Sequence, residues 1–250
     1  MLRMPENMVA EPDEIIENLI KLRRELLVGY FGDEKADKMK LKEAMNPNHF
    51  AISLSGEPMM YPKLPQMVKY LRRREGTKSI FIVTNGQEPH MIERLIEEDA
   101  LPTQLYLSMT GFNEESYERI SKPMYRDAWE RWLKSLKLLS QVKTRTVIRY
   151  TLIRGINDSL SDIKKVAELI EMGNPHFVEI KSYMHIGASL SRLTKEHMLR
   201  MDEIRSYSET LLKYLKSFTY MDEVRDSRVA VLRNENRYVE RWIKSVEPSA

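Results

Sequence analysis

The chain has 250 residues, of which 42% are hydrophobic and 31% charged, a composition typical of a folded globular domain rather than a disordered or fibrous chain. Its 40 Lys and Arg residues against 37 Asp and Glu residues leave a net charge of +3, too small by itself to indicate nucleic-acid binding. The chain contains no cysteine, which excludes disulfides, cysteine zinc sites and cysteine-ligated iron–sulfur clusters within these residues. Without a signal-peptide core or a long apolar stretch, the sequence predicts a cytoplasmic protein with no membrane partner.

Helices and strands are predicted to alternate along the chain. Apolar residues at helical spacing predict a first helix over residues 14–27, followed by a loop and short helix at 32–42. A short apolar run that ends at Gly56 predicts the first strand over 50–55. Further helices are predicted at 64–73, 91–98, 125–139, 160–172 and 194–218, and further strands at 79–84, 104–109, 144–153, 177–184 and 227–232.

This alternation predicts βαβ units and a parallel sheet, which forms either a barrel or an open doubly wound sheet. No G-x-G-x-x-G motif follows a strand, so a dinucleotide-binding sheet is disfavoured. The series begins with a helix, although a βα barrel normally begins with a strand. We therefore expect a missing strand and loop upstream of Met1.

Polar residues stand at the carboxyl ends of the predicted strands, where ligands bind in parallel α/β folds. In chain order these segments are Ser55-Gly56-Glu57-Pro58, Thr84-Asn85-Gly86, Ser108-Met109-Thr110, the strand with Arg149 that leads to Asn157, and Tyr183-Met184-His185-Ile186-Gly187. Glu57 can accept hydrogen bonds from an ammonium group, Arg149 can bind a carboxylate, and hydroxyl and amide groups suit a ribose. The combination predicts a site for a zwitterionic ligand that carries a nucleoside.

Each of these residues also has a purely structural interpretation. Gly-Glu-Pro and Asn-Gly are common in turns, and the alternation along its strand can point Arg149 to solvent. His185 has no partner at metal-ligand spacing, which favours a loop histidine over a metal ligand. A barrel lyase or isomerase with Glu57 or His185 as general base is an alternative, but it lacks a convincing second catalytic partner.

Segments between residues 28 and 197 resemble the tRNA-4-demethylwyosine synthase family, and they occur in the family's order. These segments are AISLSGEPMMYPKLPQMVKYL, FIVTNGQEP, QLYLSMT, ISKPMYRDAWERWLKSLKLL, RTVIRYTLIRGIND and GNPHFVEIKSYMHIGAS. The stretches KPMYRDAWERW and GNPHFVEIK distinguish this family from other radical S-adenosylmethionine (SAM) proteins. The resemblance implies an α/β fold, a partial radical SAM-type (β/α)6 barrel of parallel strands that lacks the first strand and the cluster loop.

By this resemblance, the family forms 4-demethylwyosine from pyruvate and guanosine 37 of tRNA(Phe), already methylated at N1. A 4Fe–4S cluster reductively cleaves SAM, and the resulting 5′-deoxyadenosyl radical abstracts a hydrogen from the N1-methyl group; a second cluster is associated with pyruvate. The resemblance therefore implies SAM and 4Fe–4S clusters as cofactors. It implies tRNA(Phe), pyruvate and an electron donor as partners.

The resemblance also assigns roles to individual positions. The SAM-binding positions that it implies are Gly56, Glu57, Pro58, Thr84, Asn85, Ser108, Arg149, Asn157, Ile186 and Gly187. Of these, the Gly-Glu-Pro segment binds the SAM amino group, the ends of the second and third strands face the ribose and methionine side, and the last two lie against the adenine. Arg149 and Asn157 are expected near the SAM carboxylate or the substrate. The positions expected to face RNA phosphate are Lys122, Arg126 and Lys181.

The chain departs from the family in one essential feature. The family's C-x3-C-x2-C loop, the further cysteines of the second cluster and the lysine on the pyruvate side lie upstream of a segment like residues 11–27, and none is assigned here. Either the sequence is a truncated reading of a longer protein, or the chain has lost the cluster and binds tRNA or SAM without catalysis. The missing first strand favours truncation. In both cases we expect no reductive cleavage of SAM by this chain alone.

Two regions are predicted: the barrel over residues 1–220 and a basic extension over 221–250 that faces RNA. Aromatic residues Tyr238 and Trp242 interrupt the basic run of the extension. That pattern fits either an RNA backbone with some base stacking or an exposed amphipathic tail. The basic residues of the run are Arg225, Arg228, Arg233, Arg237, Arg241 and Lys244.

Overall fold

Seven strands form one sheet in the computed structural model, which describes residues 8–53 and 56–243. The order of the strands across the sheet is 1-2-3-4-5-7-6; the first five run parallel, and the last two form an antiparallel hairpin beside the fifth. In chain order the strands are β1 (His49–Ile52), β2 (Ser79–Thr84), β3 (Gln104–Met109), β4 (Arg145–Leu152), β5 (Phe177–Ser182), β6 (Phe218–Val224) and β7 (Val229–Asn234).

Helices connect the parallel strands and pack against one face of the sheet, which we call the helix face. Their apolar residues at helical spacing form the main core with alternate strand residues such as Ile82, Leu107, Ile148 and Ile180. The helices are α1 (Pro12–Val28), α2 (Lys38–Met45), α3 (Leu64–Arg73), α4 (Pro89–Glu97), α5 (Glu114–Ser121), α6 (Ala128–Leu139), α7 (Ile163–Gly173) and α8 (Met201–Leu212).

The other side of the sheet, the inner face, carries a second and smaller apolar cluster. Tyr106, Val147 and Phe177 are neighbours in register on β3, β4 and β5, and all three are buried. Val239, from the segment after β7, packs against this cluster. The guanidinium of Arg145 donates to the carbonyl oxygens of Glu240 and Arg241. The segment after β7 therefore covers the inner face at the amino ends of the strands, which we call the base of the sheet.

Most predicted elements are present, and two segments differ. The helix predicted over 194–218 is only α8, and its expected last residue, Phe218, instead begins β6. β6 pairs with β7 through a register shift between Tyr220 and Asp222, which breaks its apolar alternation. The helix predicted over 125–139 begins at Ala128, and the separate helix α5 precedes it. The domain boundary predicted after residue 220 falls inside β6, and residues 54, 55 and 244–250 lie outside the described ranges.

Helix α1 packs against α2 and α3, and it carries apolar side chains on its exposed surface as well as on its buried one. Ile16 and Ile20 are buried, whereas Leu19, Leu22 and Leu26 are exposed by 58%, 54% and 75%. β1 pairs with β2 on one side, and no strand of the described ranges pairs with its other side. The described structure therefore combines exposed apolar side chains on α1 with a free strand edge at β1. No helix among the described residues has the length and apolarity to cross a bilayer.

Candidate active site

The carboxylate of Glu57 is held at the carboxyl ends of β1 and β2. Its Oε1 accepts hydrogen bonds from the backbone N–H of Met59 (3.1 Å) and from Oγ1 of Thr84 (2.6 Å), and its Oε2 accepts one from the backbone N–H of Asn85 (2.8 Å). Burial raises the pKa of Glu57, although these three hydrogen bonds oppose the shift. A carboxylate has about four lone-pair positions, so Oε2 keeps acceptor capacity for a ligand.

A cleft of about 980 Å³ opens beside this carboxylate, at the carboxyl ends of the parallel strands. It is large enough for a nucleoside-sized ligand, since ligand pockets commonly measure about 300–1,000 Å³. Polar groups form the floor of the cleft and apolar side chains form part of its wall, as is common in ligand pockets. Among the predicted site residues, those that line the cleft are Glu57, Asn85, Ser108 and Lys122.

The end of β2 is shaped by a close approach between backbone and helix α6. Gly86 has φ +78, and a Cβ at this position would lie 2.7 Å from Leu107 Cδ1 and 2.9 Å from Trp132 Cδ1. The carbonyl of Gly86 accepts a hydrogen bond from Ser135 Oγ at 2.6 Å, and the N–H of Gly86 donates to Thr84 Oγ1 at 3.0 Å. Only glycine fits here, and the contact fixes the turn that carries Asn85 and supports Glu57.

A buried polar network that the sequence analysis did not predict forms one side of the cleft. Glu88 is 6% exposed, accepts a hydrogen bond from the hydroxyl of Tyr125, and pairs with Arg131 at 3.3 Å. Gln87 Nε2 donates to the hydroxyl of Tyr117 at 2.7 Å, and burial raises the pKa of Tyr117 to about 12. The available signal in the sequence was the polar pair Gln87-Glu88 in the loop that follows β2, at the edge of the sheet where ligands bind.

Asn157 is buried and hydrogen-bonded within the protein, and its expected position near the SAM carboxylate or the substrate stays a prediction. Its side chain is 1% exposed; Oδ1 accepts from the N–H of Ile153 at 2.6 Å, and Nδ2 donates to the carbonyls of Thr110 (2.7 Å) and Thr151 (2.9 Å). These three bonds leave the amide no free N–H group. Asn157 therefore ties the turn after β4 to the end of β3.

Arg149 and Lys181 both lie on the inner face, and neither lines the cleft. Arg149 pairs with Glu179 of the neighbouring strand at 2.7 Å, and its guanidinium lies 4.5 Å from the ring centroid of Tyr106. Lys181 is half-buried on β5, in register with Thr151. The side-chain alternation along β4 places Arg149 on the inner face, where it pairs with Glu179. A ligand carboxylate would therefore have to compete with Glu179 for the guanidinium.

The remaining predicted positions lie in exposed segments. Ile186 is 69% exposed and Gly187 has φ +64, in the loop after β5, and neither lines the cleft. Gly56 is exposed in the turn after β1, and Pro58 begins the short 3-10 helix behind Glu57. Arg126 is exposed near the cleft mouth without lining it.

Most of the C-terminal arginines have partners within the chain. Arg233 pairs with Glu235 at 2.9 Å, Arg237 donates to the carbonyls of Asn174 and Val142, and Arg241 pairs with Asp222. Arg237 and Arg241 lie toward the base of the sheet. Arg225 and Arg228, in the β6–β7 turn, lie instead at the carboxyl end of β5, where the N–H of Ser182 donates to the carbonyl of Arg228. Lys244 lies outside the described residues.

Two protein-family matches together cover most of the chain. Residues 9–170 match the radical SAM superfamily, and residues 172–234 match the family described as wyosine base formation. In the part of the chain that the structure describes, no three His, Asp or Glu side chains converge as a metal site. The wyosine match covers β5, α8 and the β6–β7 hairpin, which complete the sheet beside the cleft.

Individual relatives agree with both matches. The chain is 45% identical to S-adenosyl-L-methionine-dependent tRNA 4-demethylwyosine synthase of Pyrococcus horikoshii over 90% of the chain, and spans 65% of that protein's length. It is 42% identical to the protein of the same name from Methanocaldococcus jannaschii over 92% of the chain and 70% of that protein.

Solved structures show the same relationship. A structure of TYW1 with a lysine–pyruvate adduct bound superposes with a TM-score of 0.81 at 41% identity, over 92% of this chain and 72% of the other. A crystal structure of archaeal TYW1 gives a TM-score of 0.77 at 37% identity, over 96% and 75%. The parallel sheet, the cleft at its carboxyl edge and these similarities have one explanation: the chain belongs to the tRNA 4-demethylwyosine synthase family of radical SAM proteins.

Proposed function

We propose that the chain is the core of a radical SAM enzyme that forms 4-demethylwyosine from pyruvate and N1-methylated guanosine 37 of tRNA(Phe). The observation that carries this proposal is the Glu57 carboxylate at the floor of a cleft large enough for a nucleoside. The use of pyruvate is supported by the similar TYW1 structure, in which a lysine–pyruvate adduct is bound. The tRNA part is supported by the names of the relatives.

The residues at the cleft fit SAM. Glu57 Oε2 accepts a hydrogen bond from the SAM ammonium group. The positive charge of the ammonium favours the ionised carboxylate and so offsets the rise in pKa caused by burial. Asn85 and Ser108 line the same cleft and supply amide and hydroxyl groups for the ribose or the methionine part. When reductively cleaved, SAM supplies a 5′-deoxyadenosyl radical for hydrogen abstraction. The protein's part is to bind and orient SAM and to keep water from the reacting atoms.

The residues present do not fit an iron–sulfur cluster. Clusters of this type are held by cysteine thiolates, and the chain has no cysteine. The 250 residues alone are proposed to bind SAM without cleaving it, and cleavage requires thiolates supplied by another polypeptide segment.

Two measurements test the proposal. Titration calorimetry should show SAM binding to the wild-type chain and binding at least tenfold weaker to Glu57→Ala, while Glu97→Ala, on the exposed side of α4, binds like the wild type. Anaerobic incubation with iron, sulfide, dithionite and SAM should give no 5′-deoxyadenosine. Unchanged affinity in Glu57→Ala would remove the assigned role of this carboxylate, and 5′-deoxyadenosine above the protein-free control would contradict the proposed inactivity.

The second candidate is a clusterless relative that binds tRNA or SAM without catalysis, and the absence of cysteine favours it. The two candidates are separated by the native protein. Iron and sulfide at about four per chain in anaerobically purified native material, with an intact mass above 29.5 kDa, would support the synthase. A mass of 29.5 kDa, no iron and measurable tRNA affinity would support the binding protein.

A further inference from the structure

The loop between α5 and α6 runs along the rim of the cleft and displays alternate side chains outward. Pro123 and Tyr125 are partly buried, whereas Lys122, Met124 and Arg126 are exposed. Met124 is exposed by 82%, more than any other large apolar side chain of the described residues. Met124 therefore places an exposed apolar and polarizable side chain between two cations at the mouth of the cleft, where a ligand can contact all three.

The inward side of this loop is anchored to the buried network. The hydroxyl of Tyr125 donates to Glu88, and the guanidinium of Arg131 lies 4.0 Å from the centroid of the Tyr125 ring. Arg131 Nε also donates to the carbonyl of Gln87 at 2.9 Å. Because Tyr125 is held on both its ring and its hydroxyl, the outward residues on each side of it have defined positions.

Charge is distributed unevenly between the floor and the rim of the cleft. The floor carries the carboxyl groups of Glu57 and Glu88. At the rim, Lys122 and Arg126 form no ion pair with any residue in the described ranges. Arg119 and Arg192, which also line the cleft, each donate to a backbone carbonyl and so keep their full charge. Because Arg131 pairs with Glu88, the unpaired charges around the cleft are mainly the rim cations, which attract a polyanion.

We propose that the outward side chains of this loop bind the RNA strand beside the target base. Lys122 and Arg126 contact phosphates, and Met124 packs against the face of an unstacked base. Exposed bases in single-stranded RNA commonly stack on protein side chains, and the polarizable thioether of Met makes favourable contacts with aromatic rings. The proposal rests on the proposed function for the identity of the RNA, and adds the segment that binds it and the division of work within that segment.

Salt dependence separates the two kinds of contact. The probe is a fluorescent anticodon stem-loop of tRNA(Phe), and its anisotropy is measured with the whole 250-residue chain between 50 and 300 mM KCl. In the double variant Lys122→Gln/Arg126→Gln, affinity at low salt should fall about tenfold or more, and the slope of log K against log salt should become shallower by about 1.4, or about 0.7 for each single-strand phosphate contact. Met124→Ala should weaken binding about fivefold with an unchanged slope, and Met124→Leu should restore most of the affinity.

Matched controls use equally exposed side chains at other places. Lys137→Gln/Lys143→Gln removes two charges near the base of the sheet, and Met39→Ala removes an apolar side chain that is 74% exposed on α2. Thermal unfolding of every variant checks the fold. Stem-loop binding by the wild type, together with loop variants that match these controls, would overturn the inference and leave the proposed function standing. No binding by the wild-type chain would overturn the inference and the tRNA-binding part of the proposed function.

Discussion

Glu57 and Asn157 each follow a strand of the parallel sheet, and their surroundings give them different roles. Glu57 lines the cleft and its carboxylate keeps acceptor capacity, whereas every N–H of the Asn157 amide is used inside the protein. Sequence position identified both as residues after a strand but gave no information on which groups each side chain contacts. The same limit applies to Arg149, because its partner Glu179 comes from the neighbouring strand.

The raised pKa of Glu57 makes SAM affinity dependent on pH. The ammonium group needs the ionised carboxylate, and burial shifts protonation of this group to a higher pH than for an exposed Glu. Affinity of the wild-type chain should therefore decrease as the pH is lowered from neutral through the raised pKa of this group. Calorimetry over this range checks the effect, and an identical pH dependence in Glu57→Gln would show that another group is responsible.

Asn157→Ala should destabilise the chain by about 2–4 kcal/mol, because the N–H of Ile153 and the carbonyls of Thr110 and Thr151 lose their partner in a buried place. Asn46→Ala is the matched control, since Asn46 is exposed. Urea unfolding gives both values. Equal stability of the two variants would contradict the structural role of Asn157 and favour a role in binding.

The helices and strands with strong local signals were predicted to the residue. The bounds of α3, β2 and β3 coincide with the predicted ranges, since each combines a clear apolar period with turn residues at its end. Helix α5 has eight residues and buries only Ser116 and Tyr117, so its apolar period is too short to detect. β6 depends on pairing with β7, and its irregular register removes the alternation by which strands are recognised.

His176 connects three strands and should make stability dependent on pH. Its N–H donates to the carbonyl of Thr146, its Nδ1 accepts from the N–H of Thr146 at 3.1 Å, and its carbonyl accepts from Asn234. Burial lowers the pKa of His176 to about 4. Because the unfolded chain binds a proton near pH 6.5 and the folded chain does not, stability is full above about pH 6.5 and is lost as the pH falls toward 4.

Urea unfolding at pH 7.5 and pH 5 measures this loss. The wild type should lose more stability between the two pH values than His176→Gln, because only the wild type has the buried imidazole with the lowered pKa. A wild-type curve no steeper than that of His176→Gln would exclude His176 as the group that titrates.

At the scale of the whole molecule, helix α1 exposes apolar side chains, and β1 is the edge strand of the described sheet. The leucines of α1 are exposed, and in the described ranges β1 is paired on only one side; both kinds of surface promote association. The sequence analysis expected a missing strand from the order of the elements alone. It gave no information on which side chains would remain exposed, because exposure depends on how the helices pack.

We expect the 250-residue chain to self-associate at micromolar concentration through these surfaces. Leu22→Glu/Leu26→Glu should shift sedimentation velocity profiles toward the monomer, since two charges oppose apolar contact between copies. Leu160→Glu is the control, because Leu160 is similarly exposed at 56% on another part of the surface. A monomeric wild type, or an equal response to both changes, would contradict this use of the α1 face.

Because the chain has no native thiol, a cysteine introduced at either end of the sheet can be modified selectively. A single cysteine introduced in place of Lys143, which precedes β4 at the base, would be the only reactive thiol of the chain. Immobilisation through that thiol would present the rim to solution, whereas a dye attached at Glu118→Cys, exposed on α5, would report on what approaches the cleft without removing a proposed RNA contact. A chain without native thiols is thus well suited to single-site labelling, and the docking of RNA at the rim becomes directly visible.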